Sequence, residues 1–122
     1  MLWKQDKTET LTAVDDYIRA RFIYTSEQME TLQTPEYMAS GLEINHHLIG
    51  DCDDIATFHA TLLTCLGYKV RFVAIKSVPN DMNYDHVYLE ALNPDTKVWE
   101  TFDATVPVNT VMEYHGKVEI VI

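Results

Sequence analysis

Leu11, Val14, Ile18 and Phe22 recur every three or four positions near the start of the chain, the spacing of one face of an α-helix. The pattern predicts an amphipathic helix from about Glu9 to Tyr24. Thr34-Pro35-Glu36 is a helix-start signal, because threonine can cap free N–H groups and proline suits the first helical position. A short helix is expected there, running through Met38 and ending near Gly41. From Glu43 to Gly50 no period emerges, and the segment reads as a loop.

The helix that begins near Cys52 is the best-defined element. At about 100° per residue, with Cys52 set at 0°, Ile55, Leu62 and Leu66 fall near 300°, 280° and 320°. Ala56 and Leu63 lie at about 40° and 20°, so all of these share the face with Cys52. Thr57, Thr61 and Thr64 take the opposite side, and the wheel points Asp53 and Asp54 away from the thiol. Gly67 is placed to end the helix as a C-cap glycine.

After Gly67 the style changes. Four runs rich in Val, Ile, Tyr and Phe follow, at Tyr68–Ser77, Tyr84–Leu92, Lys97–Asp103 and Lys117–Ile122, and these predict strands. Helices followed by strands, without alternation, imply an α+β domain rather than a parallel βαβ sheet. The middle two strands are separated by Asn93-Pro94-Asp95-Thr96, a turn by its chemistry. If Leu92 faces Lys97 across it, then Glu90 faces Trp99, Tyr88 faces Thr101, and His86 faces Asp103. Opposed residues of an antiparallel pair have Cβ atoms about 5 Å apart, so a histidine and a carboxylate become neighbours. A one-residue slip would break that pairing.

Composition narrows the class. The 122 residues, 47% of them hydrophobic, suit one compact domain over 1–122 with one core. No apolar run approaches the roughly 20 residues that span a bilayer, and MLWKQDKTET lacks the layout of a secretion signal. Two cysteines without an export signal predict free thiols in a reducing, cytoplasmic setting. With 9 basic and 19 acidic residues the net charge is −10. That excess argues against nucleic-acid partners, whose binding needs clustered Lys and Arg.

The candidate chemistry starts at Gly50-Asp51-Cys52-Asp53-Asp54. Cys52 stands among three carboxylates, and negative charge opposes the thiolate that a nucleophile or metal ligand needs. Alone it could equally be a buried structural thiol. A cysteine at a helix start, a histidine on a strand and an aspartate across from it have a specific use, however. The imidazole takes the thiol proton, the carboxylate fixes its tautomer, and the helix N-terminus favours the thiolate. Asp53 and Asp54 then read as first-turn acids that complement the helix dipole, and Asp51 has no assigned role.

With these parts in order, the sequence resembles the transglutaminase-like superfamily, whose core is related to papain-like cysteine proteases. The resemblance rests on GDCDDIATFHATLLTCLGYKVRFV around Cys52, YDHVYLEAL around His86 and WETFDAT around Asp103. Upstream, Phe22-Ile23-Tyr24 and Thr34-Pro35 are similar to what precedes the cysteine in small microbial and phage members. The resemblance implies Cys52 as nucleophile, His86 as general base and acid, and Asp103 as the orienting carboxylate. It implies a papain-like α+β core, with N-terminal helices and the cysteine-bearing helix packed on an antiparallel sheet. The implied reaction is acyl transfer through a thioester on a peptide or protein amide, hydrolysis rather than cross-linking; no cofactor and no metal are expected. The backbone N–H of Cys52 would help hold the oxyanion. The second donor is left among Asn45, the loop backbone before Gly50, and Trp3. A catalytically silent member used as a binding or assembly module is one rival reading, and a metal-binding or redox protein, with Asp51, Cys52, His46 and His47 as the ligand candidates, is the other.

The remaining histidines and Cys65 read as bland. Cys65 is taken as core, and His59, seven residues beyond Cys52 on the apolar face, as a satisfied core histidine. His46 and His47 read as solvent-facing and His115 as incidental. The sequence has no Cys-x-x-Cys or His-x-x-x-His pair for zinc. Tyr88 and Trp99 are cleft or core aromatics, and Arg71 is expected to pair with an acid.

Overall fold

The computed structural model describes residues 7–24, 34–76, 84–107 and 116–121. Expectations at Trp3, Ser77, His115 and Ile122, and for the Asn45 side chain, lie outside the described residues. The elements in chain order are α1 (Lys7–Arg21), β1 (Phe22–Tyr24), α2 (Pro35–Asn45), β2 (Leu48–Gly50), α3 (Cys52–Cys65), β3 (Val70–Lys76), β4 (His86–Leu92), β5 (Trp99–Phe102) and β6 (Gly116–Val121). The architecture is the expected α+β arrangement. Strands β3 to β6 form one antiparallel sheet in the order β5-β4-β3-β6, with α3 packed on β4 and β3.

The helix ends follow local chemistry. Thr34 caps α2 by accepting from the Tyr37 N–H at 3.2 Å, with Pro35 in the first turn. The helix runs past Gly41 to Asn45 and closes on His46 in the left-handed region, φ 63°. Gly67, at φ 91°, ends α3 in a Schellman motif: Tyr68 N–H donates to Leu63 O and Gly67 N–H to Thr64 O, both at 3.0 Å.

Two short strands escape the sequence pattern. Phe22–Tyr24 leaves α1 and pairs in parallel with Leu48–Gly50, Tyr24 opposite Gly50. Three residues are too few to display a period of two, and each partner lies in a segment that reads otherwise when taken alone. Of the two, β2 ends at Gly50, two residues before Cys52.

The main core joins Leu11, Val14 and Ile18 of α1 to Ile55, Phe58 and Leu63 of α3, and to Val70, Leu89, Ala91 and Phe102 of the sheet. On the other sheet face Val73, Ile75 and Tyr88 make a smaller cluster. Arg71 does pair with acids: Glu90 at 2.6 Å and Glu119 at 3.0 Å, with its guanidinium 4.2 Å above the Trp99 ring.

Cys65 is not core but exposed. Thirteen residues at about 100° each carry it roughly 220° from Cys52, onto the threonine side of α3. With Thr57, Thr61, Thr64 and Phe72 it lines an open groove of about 300 Å³.

The β4–β5 register also departs from the expectation. Leu92 faces Trp99 and Leu89 faces Phe102, a shift of two residues. The cause is Asn93, which is 1% exposed and forms the last rung of the ladder rather than the first residue of the turn. Its N–H donates to Val98 O at 2.9 Å, and its side chain bonds Thr8, Glu100 and the turn N–H groups of Asp95 and Thr96. The loop is thus Pro94–Lys97, closed by Lys97 at φ 63°. A two-residue shift keeps every side chain on its face. Continued beyond β5, it puts Tyr88 opposite Asp103 and leaves His86 as the diagonal neighbour, still within reach of a long side chain.

Candidate active site

Three local devices bring the candidate residues to one place. The first is the start of α3. Asp51 is its N-cap and accepts from the Asp54 N–H, while the Asp54 carboxylate accepts from the Asp51 N–H, both at 3.2 Å. This reciprocal pair is a capping box. It gives Asp51 a role, and it corrects the helical-wheel reading of Asp54, which is fully buried. Its bonds use the N–H groups of Asp51 and Asp54 and not that of Cys52. Asp53 also departs from the wheel: its Oδ1 lies 3.9 Å from Cys52 Sγ. A short side chain one residue along can fold back over the helix start, which an angle measured at Cα does not capture.

The second device is the turn after β5. Asp103 stands one residue past the strand and is 5% exposed. Its Oδ1 accepts from both the Thr105 hydroxyl at 2.6 Å and the Thr105 N–H at 2.9 Å. That fixes the carboxylate plane and leaves Oδ2 to face His86. Burial works to raise the Asp103 pKa, but the hydrogen bonds from His86 and Thr105 prevail and hold it below the ordinary value.

The third is His86, the first residue of β4. Its Nε2 lies 2.5 Å from Asp103 Oδ2, a charge-assisted bond between a partly exposed ring and a buried carboxylate. The His86 pKa is raised from 6.5 to about 10. The hydrogen bond to Asp103 is the largest cause, the hydrogen bond to the Cys52 side chain is the next, and burial opposes both. Since the carboxylate engages Nε2, the other ring nitrogen, Nδ1, is the one left for the sulfur. The structure therefore brings Cys52, His86 and Asp103 together, despite the shifted register.

Around them sit further groups, of which Tyr24 and Thr105 had no role assigned from the sequence. Tyr24, exposed and paired through its backbone with Gly50, has its pKa raised by desolvation and then by the charges of Cys52, Asp51 and Asp53. Thr105 was visible as the end of WETFDAT, and an Asp-x-Thr spacing is itself a turn signature. The Tyr88 ring lies 6.1 Å from that of His86 and is buried, whereas Trp99 is engaged by Arg71. His59 is buried behind Asp103, packed against Phe102 with ring centroids 5.5 Å apart. It is core, as expected, yet its Nε2 has no hydrogen-bond partner among the described residues, so it is not the satisfied histidine the sequence suggested. Burial and then the Arg19 charge push its pKa down to about 3, with Asp103 opposing. His46 and His47 are exposed.

Comparison with known proteins bears on the whole arrangement. A solved structure described as a "putative cysteine protease" from Cytophaga hutchinsonii is similar in fold, with a TM-score of 0.63 and 23% identity over 92% of this chain. This chain spans 35% of the length of that one. Among curated proteins, none matches the chain. No helix among the described residues is long and apolar enough to cross a membrane. The family model of the transglutaminase-like superfamily matches residues 1–104, a span that holds Cys52, His86 and Asp103. The chain therefore belongs to the transglutaminase-like superfamily.

Proposed function

We propose that this protein is a cysteine-dependent acyl-transfer enzyme acting on peptide or protein amides. The observation that carries the reading is the 2.5 Å contact of His86 Nε2 with the buried Asp103 Oδ2; we assign the remaining ring nitrogen, Nδ1, to the Cys52 thiol. The thiol proton passes to Nδ1, and the imidazolium is held by the buried carboxylate. Thiolate sulfur then attacks the amide carbon. The C–S bond forms as the carbonyl π electrons move to oxygen, next to the Cys52 N–H at the start of α3. Collapse expels the amine, which takes its proton from the imidazolium and leaves a thioester. Water, deprotonated by the neutral imidazole, attacks the thioester carbon and releases the acid and the thiol. Hydrolysis rather than cross-linking is the outcome we assign, by analogy with small members of the family.

Iodoacetamide tests the reading, because exposure and activation favour different cysteines. Cys65 is exposed and Cys52 only partly so. Cys52 is nevertheless expected to alkylate faster at pH 7, and Asp103→Asn is expected to abolish that advantage. Equal labelling, or faster labelling of Cys65, would sink the enzyme reading in favour of a silent binding module.

A further inference from the structure

The turn that carries Asp103 is not held by the sheet alone. Arg19, near the end of α1, reaches across 84 residues of sequence to donate from Nη2 to the Asp103 carbonyl at 2.7 Å. Its Nη1 donates to the Val106 carbonyl. Its Nε is held by Asp15 Oδ2, one helical turn earlier, at 2.9 Å. All three nitrogens of the guanidinium thus have a defined use. Two of them grip the two ends of the Asp103–Val106 turn, which closes on itself through Val106 N–H to Asp103 O at 3.4 Å.

We propose that Arg19 is a positioning residue for the candidate catalytic carboxylate: it clamps the Asp103–Val106 turn so that Asp103 Oδ2 is presented to His86. The proposal rests on the Cys52–His86–Asp103 reading and extends it to α1. Arg19 binds the backbone of Asp103, not its carboxylate, so its influence passes through the orientation of the turn. Within that turn Thr105 already saturates Oδ1, so one rigid-body setting determines where Oδ2 lies. Asp103 is buried, and a carboxylate swung away from His86 would find little water to replace the lost bond. A fork with fixed geometry suits this task better than an ammonium, which cannot grip two carbonyls and a carboxylate in one plane. Asp15 is itself buried, which keeps the guanidinium aimed at the turn.

A purely structural staple would make the same contacts, so the test reads the site rather than the fold. Arg19→Met keeps much of the aliphatic stem and removes every donor. Arg19→Lys keeps the charge and loses the fork. Arg21→Met, on the same helix but stacked on Tyr17, is the control. The readouts are the His86 titration by NMR and the ratio of Cys52 to Cys65 alkylation by iodoacetamide, with thermal melting measured alongside. Arg19→Met is expected to lower the His86 pKa by about one unit or more and the alkylation ratio by about tenfold. Arg19→Lys should fall between it and the parent, and Arg21→Met should change neither. If Arg19→Met does not fold, Arg19→Lys decides. Lowered melting with an unchanged His86 titration and alkylation ratio, in whichever variant folds, would overturn the proposal. Asp103→Asn separates the two ideas. If it too leaves the ratio unchanged, the triad reading fails; if it collapses the ratio while the Arg19 variants do not, only the clamp fails.

Discussion

Two histidines at this site carry opposite electrostatics, and each has a measurable consequence. His86 gains partners on folding, so its folded pKa, about 10, lies above its unfolded value near 6.5. The stability it contributes is fully present below about pH 6.5 and is lost as pH rises toward 10. His59 is desolvated, and the Arg19 charge adds to that, so its pKa falls to about 3. Its neutral form is what the fold accommodates. The penalty is therefore absent above pH 6.5 and grows as pH falls toward 3, by roughly 1.4 kcal/mol per pH unit for one proton. His59→Leu should flatten the urea-measured stability between about pH 6 and pH 4; a parallel decline in parent and variant would assign the acid sensitivity to other groups. The wheel placed His59 correctly on the apolar face. The wheel could not indicate that Nε2 has no partner among the described residues, because that depends on which atoms of β4, β5 and the Asp103 turn surround it.

At the scale of elements, the start of α3 does two things at once. The Asp51–Asp54 capping box satisfies two of the orphan N–H groups of the helix, and the same turn carries the Cys52 sulfur. Asp51→Ala should cost about 1 kcal/mol of stability in urea melts and loosen the frame on which Cys52 sits. A variant as stable as the parent would mean that water replaces the cap. Capping boxes are best known with a longer acid at the third helical position, and Asp54 fills that place here by being buried against the helix start. The β4–β5 hairpin shows the limit of reading turns by composition. Asn-Pro-Asp-Thr has turn chemistry throughout, yet a buried Asn93 that bonds Thr8 and Glu100 belongs to the ladder. Its tertiary partners, one of them 85 residues away, moved the register by two. His86 still meets Asp103 because side chains in a strand alternate with a period of two, and an even shift preserves the face.

For the whole molecule, the helices and the sheet share one main core, and the site lies where α3, β4 and the turn after β5 meet. Leu63, fully buried in that core, should lose 2–5 kcal/mol on change to alanine, by the usual range of about that size for large-to-small core substitutions. Cys65→Ala, two residues further along the same helix but exposed, should change stability by no more than about 0.5 kcal/mol. Urea melts of the two variants compare them directly, and a large loss at Cys65 would contradict the exposed placement. The α+β class, the strongest helix, its glycine stop, and the residues Cys52, His86 and Asp103 were legible in the chain, because periodicity, caps and motif order are properties of neighbours in sequence. The exposure of Cys65 was legible on the helical wheel of α3 and was misread; the parallel β1–β2 pair, the true hairpin register and the grip of Arg19 on the Asp103 turn were not legible. Most of these depend on atoms brought together from dozens of residues apart, and their energies exist only once the core has placed those atoms within hydrogen-bonding distance. The sequence by itself determined which residues are candidates for the chemistry, because motif order and helix-start position are local; the tertiary structure decided which ring nitrogen meets which carboxylate oxygen, and what grips the turn that carries that carboxylate.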